Sequence, residues 1–274
     1  MNTLALLISL TGLIVLILGI TVYFYKLIQN KVPKTPIGLF FSIFVATTSA
    51  IYGLYLSIPN EIINVLPIAV PAILSIIISS LFLFVFMNKK TPLGNIKVKI
   101  GDSIIPFQST SAQGHAFSQE DLKNKRILLK FFRGSWCPYC SRELTMFDEM
   151  QSDFNKYNVE VIALSGDSVE EAMAHIKRDN LGLKLLADPQ LDVVKKYGVE
   201  HHKALGADSQ DVMTVFDLPF PKLNQLKFKS MSIPTSLLID ENGIIRWIDQ
   251  SEDYRLRASN KRIVAALEEC FNGK

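Results

Sequence analysis

Three long stretches without a charged residue lie within residues 1–90. A helix of about 20 apolar residues is long enough to cross the hydrocarbon core of a bilayer. We therefore predict that residues 1–90 form a membrane region with three transmembrane helices, at about 4–25, 37–57 and 66–87. The alternative is a buried helical core, but three such segments in succession favour membrane spans.

The pattern changes after residue 90. Residues 91–100 form a predicted polar connector, and in residues 101–274 short apolar runs alternate with amphipathic segments. This alternation is typical of an α/β sheet covered on both faces. We predict strands at 127–132, 159–164, 183–187, 235–239 and 244–248, and helices at 138–157, 168–180, 190–197 and 260–271. Residues 198–230 are predicted to be rich in loops, and Asn242-Gly243 marks the turn of a terminal hairpin.

Two cysteines, Cys137 and Cys140, follow the predicted strand 127–132 and open the next helix. Unpaired backbone N–H groups and the helix dipole favour a thiolate at a helix N-terminus, so we predict that Cys137 is the nucleophile. Pro138 suits the first helical turn, because its missing N–H costs nothing there. Cys140, about one turn further along, is placed to resolve a mixed disulfide or a sulfenic acid formed on Cys137.

Other interpretations of the pair stay open on the residues alone. A structural zinc site needs a fuller set of Cys or His ligands, whereas the chain has 3 Cys and its adjacent His201-His202 lie far along the sequence. Two inert buried thiols are common in protein cores, and a disulfide across two residues would restrain the unfolded chain little. We favour disulfide exchange, with no metal and no cofactor. Arg142, in the same helix, either adds positive potential to the thiols or lies on a solvated face.

Charge predicts how the chain is oriented. Residues 1–90 contain five Lys and one Glu, a net charge of +4, whereas residues 91–274 contain 24 Lys and Arg against 25 Asp and Glu, a net charge of −1. The later part therefore shows no basic surface for nucleic acid. Lys26, Lys31 and Lys34 lie between the first two spans, and Lys89 and Lys90 follow the third. The positive-inside rule then predicts a multi-pass protein of the cell membrane with a cytoplasmic catalytic domain, a compartment where a Cys pair is typically catalytic.

Several motifs follow one another in residues 101–271. They are Phe131-Phe132-Arg133-Gly134-Ser135-Trp136-Cys137-Pro138-Tyr139-Cys140-Ser141-Arg142-Glu143-Leu144, Ala163-Leu164-Ser165, Leu186-Ala187-Asp188-Pro189, Ile233-Pro234-Thr235, Leu238-Ile239-Asp240 and Asp253-Tyr254-Arg255-Leu256-Arg257-Ala258. Together they resemble the thioredoxin fold and, within it, the peroxiredoxin-like AhpC/TSA branch. The resemblance implies an α/β thioredoxin-like fold in residues 101–274, a central mixed sheet flanked by helices, preceded by the three transmembrane helices.

The resemblance also implies which residues face the thiols across the site. In that fold the residue equivalent to Pro234 is a cis-proline that faces the Cys pair, and the backbone of Ile233 and Thr235 would pair with a bound substrate strand. An ordinary trans proline at the start of a strand is the alternative. Trp136 and Pro138 would shape the site beside the thiols. The candidates to stabilise a thiolate or align a peroxide are Arg133, Ser135, Arg142 and Arg257.

The peroxidase signature of the family is incomplete. Peroxiredoxins typically present Pro-x-x-x-Thr/Ser-x-x-Cys, and here Lys130 stands for the proline and Gly134 for the hydroxyl residue. Pro234 stands for the arginine that typically helps to activate the peroxide. Cys270, on the last predicted helix, is either a second resolving thiol or a small apolar residue.

We therefore predict a membrane-tethered thiol–disulfide oxidoreductase. The alternative is a thiol-dependent hydroperoxide reductase, and a third hypothesis is a non-catalytic membrane redox sensor. The expected partners are a thiol electron donor, either thioredoxin-like or of low molecular weight, a disulfide or hydroperoxide substrate, and the lipid bilayer.

Overall fold

The computed structural model describes residues 2–58, 62–209 and 212–271. The chain divides between Lys89 and Lys90 into two compact units. The first unit consists of the long helices α1 (Thr3–Ile28), α2 (Ile37–Ser57) and α3 (Ile62–Met87). Each is long and apolar enough to cross a membrane. Because α3 begins at Ile62 rather than at Leu66, Pro67 and Pro71 lie inside the helix.

Glycine and serine residues let α1 and α2 approach each other closely. A Cβ added at Gly53 of α2 would lie 2.1 Å from Ser9 Oγ and 3.1 Å from the Ala5 carbonyl oxygen, and one added at Gly12 of α1 would lie 2.7 Å from Ser49 Cβ. Small residues at such positions are typical of helix pairs in membranes, where close backbone approach replaces the hydrophobic driving force.

The second unit is an α/β domain. Its helices are α4 (Pro138–Glu149), α5 (Gln151–Lys156), α6 (Val169–Asp179), α7 (Asp192–Tyr197) and α8 (Asn260–Phe271). Its strands are β1 (Gln108–Ser111), β2 (Ala116–Ser118), β3 (Arg126–Phe131), β4 (Val159–Ser165), β5 (Lys184–Ala187), β6 (Glu200–Ala207), β7 (Met213–Val215), β8 (Leu218–Phe220), β9 (Leu226–Ser232), β10 (Thr235–Ile239) and β11 (Ile245–Gln250).

A seven-stranded sheet runs in the order β11-β10-β3-β4-β5-β1-β2. Strands β3, β4 and β5 are parallel, whereas β10, β11, β1 and β2 join the sheet antiparallel. This mixed sheet with flanking helices confirms the predicted thioredoxin-like α/β fold.

Strand β3 divides its side chains between two cores. Leu128 packs in the core that includes residues of α4, α6 and α8, whereas Ile127, Leu129 and Phe131 pack in the core that includes residues of α7. Successive side chains of a strand point to opposite faces, so Lys130 shares the face of Leu128. A lysine is therefore buried on the side of the sheet that carries α4.

The helix predicted at 138–157 is divided in two. α4 ends at Glu149 and α5 begins at Gln151, because Met150 adopts the non-helical angles φ −90° and ψ 12°. Met150 and Phe154 are both buried, so the bend keeps apolar side chains of both segments in the core. The apolar spacing continues across the bend, and for this reason the pattern predicted one helix.

Residues 198–230, predicted to be rich in loops, contain strands of two small antiparallel sheets, β6 with β9 and β7 with β8. The pairing of β6 shifts between His201 and Ala204, with Lys203 at φ 54°, and this shift interrupts the alternation that predicts a strand. Phe216 and Asp217 have φ of 53° and 58°, as in a type I′ hairpin turn. The prediction missed this hairpin because the turn has no glycine.

The prediction of a cis peptide bond before Pro234 is wrong. The described residues contain no cis peptide bond, so the bond between Ile233 and Pro234 is trans. Ser232 is still paired within β9, and Thr235 is already paired within β10. The chain crosses between two sheets over two residues held at both ends, and the ordinary trans bond serves this connection.

We expect Gly53→Val to destabilise the first unit by about 1–3 kcal/mol, because an added side chain overpacks the contact with Ser9 and Ala5. Gly38→Val is a matched control in the same helix, since a Cβ at Gly38 would meet nothing within 4 Å. Thermal unfolding of the full chain in detergent measures the difference. Equal melting temperatures for the two variants would contradict the packing described for α1 and α2.

Candidate active site

The two thiols lie where the central strand β3 leads into α4. β3 ends at Phe131, Cys137 is the N-cap residue of α4, and Pro138 occupies the first helical position. Cys137 and Cys140 are both free and buried. The first thiol therefore lies at the positive end of the α4 dipole.

Asp167 holds the loop between β3 and α4. Its carboxylate accepts hydrogen bonds from the backbone N–H of Ser135 (2.8 Å) and from the hydroxyls of Ser165 and Ser209 (both 2.9 Å). These bonds join the loop to the end of β4 and to the segment after β6. The thiol pair is therefore carried on a fixed support.

Gly134 is required by the shape of this loop. Its φ is 142°, and a Cβ added there would lie 2.7 Å from Trp136 Nε1 and 2.9 Å from Asp167 Oδ1. Trp136 is buried, and its Nε1 has no hydrogen-bond partner among the described residues. A side chain at position 134 would displace the indole or the carboxylate, so glycine is the residue that fits.

Helix α6 provides a second support. Arg178 donates from Nη1 to the Ser135 carbonyl oxygen (2.9 Å) and from Nε and Nη2 to Asp179 (2.6 and 2.9 Å). Asp179 also accepts a hydrogen bond from the Ser141 hydroxyl and lies 3.0 Å from His175 Nε2. Burial raises the pKa of Asp179, but the bonds with His175 and Arg178 outweigh it and hold the pKa well below its usual range. Because Ser141 follows the second thiol, this cluster fixes the first turn of α4.

Arg133 is buried beside the thiol loop. Its guanidinium carbon lies 3.8 Å from the ring centroid of Tyr254 and 5.0 Å from that of Trp136. Nε is 3.2 Å from Met231 Sδ, and Nη2 donates to the Leu205 carbonyl oxygen. Strands β6 and β9 therefore help to hold a positive charge near Cys137.

A chain of buried charges ends at the second thiol. Lys130 Nζ lies 2.7 Å from Glu143 Oε1 and 3.1 Å from Ser236 Oγ. Glu143 Oε2 accepts from Arg257 Nε (2.6 Å), and Arg257 Nη2 lies 3.5 Å from Cys140 Sγ. Side-chain exposure is 1% for Lys130, 2% for Glu143 and 9% for Arg257. One carboxylate thus links two cations below the thiols.

This environment gives the two thiols different pKa values. Burial raises the pKa of Cys137, but the hydrogen bond from Cys140 and the positive charges of Arg133 and Arg257 lower it, leaving a pKa of about 6. Burial, the hydrogen bond with Cys137 and the charge of Cys137 raise the pKa of Cys140 well above its usual value, while Arg257 opposes them. At neutral pH, Cys137 is therefore the thiolate and Cys140 the thiol.

The structure separates the arginines that the sequence grouped as stabilisers. Arg133 and Arg257 both lower the pKa of Cys137. Arg142 instead forms a bidentate ion pair with Glu149 (2.8 and 3.0 Å) near the C-terminal end of α4. Its charge is balanced by Glu149 along the helix face, so we expect Arg142 to contribute less at the thiols than Arg133 and Arg257.

The segment predicted to pair with a substrate strand is buried and already bonded within the domain. Ile233 N–H donates to the Val199 carbonyl oxygen (2.6 Å). Thr235 Oγ1 donates to the Ile233 carbonyl oxygen (3.0 Å) and accepts from Gln250 Nε2 (2.8 Å). Pairing of an extended substrate with this backbone would therefore compete with bonds that the domain makes itself.

Sequence reasoning missed the roles of Lys130 and Glu143. A signal was present, because a lysine inside an apolar strand is seldom buried unless it is paired. Its partner Glu143 lies only 13 residues away, but the loop between strand and helix hides that the two side chains meet, and Arg257 is 114 residues from Glu143. Cys270 is half-buried against the core that contains the thiols, and burial raises its pKa. Over the ranges that the structure describes, no three His, Cys, Asp or Glu side chains are grouped to hold a metal ion.

Comparison with known proteins gives the family. Residues 100–248, more than half of the chain, match the AhpC/TSA family. The chain belongs to the AhpC/TSA family. A peroxiredoxin of Methanosarcina mazei is 34% identical over 129 residues, which are 43% of this chain and 58% of that protein. The thiol-disulfide oxidoreductase ResA of Bacillus thuringiensis is 30% identical over 104 residues, which are 38% of this chain and 60% of that protein.

Other relatives are matched over more of their length. The putative peroxiredoxin bcp of Coxiella burnetii is 29% identical over 150 residues, 55% of this chain and 87% of that protein. The solved structure of the peroxidoxin BcpB from Mycobacterium tuberculosis aligns with a TM-score of 0.48 at 18% identity, over 63% of this chain and 97% of its own. The relatives of this chain thus include proteins named for both chemistries considered above, and the family match lies within the second unit.

We expect the absorbance of the Cys137 thiolate to appear with a midpoint near pH 6 in the reduced full chain, since the pKa of Cys137 is about 6. Arg133→Gln removes a charge that lowers this pKa, so the midpoint moves to higher pH. A rise of one unit would reduce the thiolate at pH 6 roughly fivefold. Arg142→Gln is the matched control and leaves the midpoint unchanged. Equal shifts in both variants would contradict the assignment of Arg133.

Proposed function

We propose that the protein is a membrane-tethered thiol–disulfide oxidoreductase in which Cys137 attacks and Cys140 resolves. The observation that carries this proposal is the pair of buried free thiols with opposite pKa shifts at the start of α4. A thiolate next to a protonated partner is the arrangement that disulfide exchange requires. Trp136 and Pro138 would shape the site beside the nucleophile.

The reaction transfers two electrons from the pair to the substrate. The Cys137 thiolate attacks one sulfur of a substrate disulfide and forms a mixed disulfide, and the other substrate sulfur leaves as a thiolate. Cys140 then attacks Cys137, the remaining substrate sulfur leaves, and the proton lost by Cys140 is taken up by the departing thiolate. The product is a Cys137–Cys140 disulfide, which a thiol electron donor must reduce before the next cycle.

Hydroperoxide reduction is the second candidate. Arg133 and Arg257 would favour a sulfenate or polarise a peroxide near Cys137, and two of the relatives are named as peroxiredoxins. Position 134 argues against it, since the hydroxyl residue of the peroxiredoxin signature would clash with Trp136 and Asp167. Lys130, in place of the signature proline, is engaged with Glu143. We therefore rank disulfide exchange first.

The three apolar helices support a membrane location. We propose that the second unit and the loop containing Lys26, Lys31 and Lys34 share the cytoplasmic side. An odd number of spans places both on one side, and lysines accumulate in cytoplasmic loops. The electron donor would then be a cytosolic thiol, either a thioredoxin-like protein or a small molecule.

We expect the reduced full chain in detergent to react with a model disulfide faster than with hydrogen peroxide, because the site lacks the hydroxyl that aligns a peroxide. Stopped-flow kinetics measures both second-order rate constants. We expect the constant for the disulfide to be larger by about tenfold or more. Cys140→Ser is expected to leave the first half of the disulfide on Cys137 as a stable adduct, identified by mass spectrometry. The matched control, Cys270→Ser, turns over like the natural chain.

Each other outcome has a defined meaning. A much faster peroxide reaction would reverse the ranking in favour of a hydroperoxide reductase. Reaction with neither substrate, in a folded chain supplied with a thiol donor, would leave the redox sensor as the better hypothesis. Adducts found on Cys140 rather than Cys137 would contradict the order of attack.

For the orientation, we expect single cysteines introduced by Lys31→Cys and Lys123→Cys to resist a membrane-impermeant maleimide in intact cells and to react after permeabilisation. Both positions are exposed, one between α1 and α2 and the other in the second unit. The natural chain measures the background from its own thiols. Labelling of both sites without permeabilisation would place the second unit outside, and labelling of only one would contradict three spans.

A further inference from the structure

The buried charges around the thiols are not balanced. Lys130 and Arg257 share the single carboxylate of Glu143. Asp249 also faces this group, but it is paired with Arg262 (2.7 Å), whose side chain is 60% exposed. Within the buried trio of Lys130, Glu143 and Arg257, two cations therefore share one anion beside Cys140.

The excess charge is located on Arg257. If Glu143 were paired with Arg257 alone, its negative charge would cancel the electric field of the guanidinium at Cys140 Sγ. Lys130 takes the other oxygen of Glu143 (2.7 Å), and in a buried site, where charges interact strongly, this partly neutralises the carboxylate. Arg257 Nη2, 3.5 Å from Cys140 Sγ, then faces the thiol with much of its charge uncompensated.

We propose that Lys130, acting through Glu143, is a positioning residue that makes Arg257 the counter-ion of the Cys140 thiolate. The proposal rests on the function proposed above and names what drives its second step. In that step Cys140 loses its proton, forms a bond to Cys137 sulfur and displaces the substrate sulfur, which leaves with the electron pair of the broken bond and takes up the proton. When a donor thiolate reduces the pair by attacking Cys137, Cys140 itself leaves as a thiolate, again beside Arg257.

The groups that face Cys140 oppose one another. Cys137 and Glu143 carry negative charge and raise the pKa of Cys140, as burial does, whereas Arg257 lowers it. Arg133 acts on Cys137. Lys130 is thus the cation that reaches the resolving thiol only through the shared carboxylate. A purely structural lysine would be replaceable by any side chain that keeps its hydrogen bonds.

The test separates charge from structure. Lys130→Gln keeps a hydrogen-bond donor for Glu143 and Ser236 but removes the charge, and Lys130→Met removes both. Lys184→Gln is the matched control, because Lys184 forms a Lys–Glu pair of the same length (2.7 Å) with Glu160 in the same sheet. All three substitutions are made in a full chain that also carries Cys270→Ser, so that Cys137 and Cys140 are the only thiols that react. Thermal unfolding checks that each variant is folded.

The measurement uses an aromatic disulfide that releases a coloured thiolate. The first release reports attack by Cys137, and the second reports resolution by Cys140. We expect both Lys130 variants to slow the second release about tenfold, the change for one unit of pKa, with its pH profile displaced to higher pH, and Lys184→Gln to leave it unchanged.

The outcomes distinguish the two proposals. Absence of a second release in the parent chain would contradict the proposed function itself. A second release in the parent that persists at the same rate in a folded Lys130→Gln chain would overturn the role of its charge. If Lys130→Met fails to fold, Lys130→Gln alone decides.

Discussion

A carboxylate shared by two cations beneath a pair of thiols is the interaction on which the rest of the site depends. Removing charges from water costs free energy that a buried ion pair recovers only with good geometry and complete hydrogen bonding. Glu143 supplies both, with short contacts to Lys130 and Arg257. A thiolate provides the remaining negative charge, so the network is better compensated in the reduced, ionised state of the pair than in the disulfide.

The fold assembles this group from two neighbouring elements and one segment that is distant in the sequence. Lys130 comes from β3, Glu143 from α4 and Arg257 from the segment before α8. Strand β3 is an interior strand of the sheet, and Leu128 and Lys130 on its face toward α4 are buried. The supports from Asp167 and α6 hold the intervening loop. The thiols therefore depend on tertiary packing for their separate pKa values, and the helix dipole is only one contribution.

The elements predicted with correct bounds are those that depend on the pattern of neighbouring residues. Strand β10 at Thr235–Ile239 and helix α8 at Asn260–Phe271 have the predicted bounds, because uninterrupted apolar or amphipathic periods specify them. The hairpin at Phe216-Asp217 escaped prediction, since its positive φ angles occur without glycine. The charge network escaped for a different reason: Lys130 and Glu143 lie 13 residues apart across a loop, Glu143 and Arg257 lie 114 residues apart, and no period connects them.

The distribution of cysteine limits what each unit does. Residues 1–89 contain no Cys, and all 3 lie in the second unit. In the proposed oxidoreductase, the thiol that reduces the Cys137–Cys140 pair would therefore lie outside residues 1–89. Spanning a membrane, as proposed, the apolar helices would instead contribute location, which raises the effective concentration of substrates held at the same membrane. Such a raised concentration would offset the restricted access to a thiol pair that is buried in the folded domain.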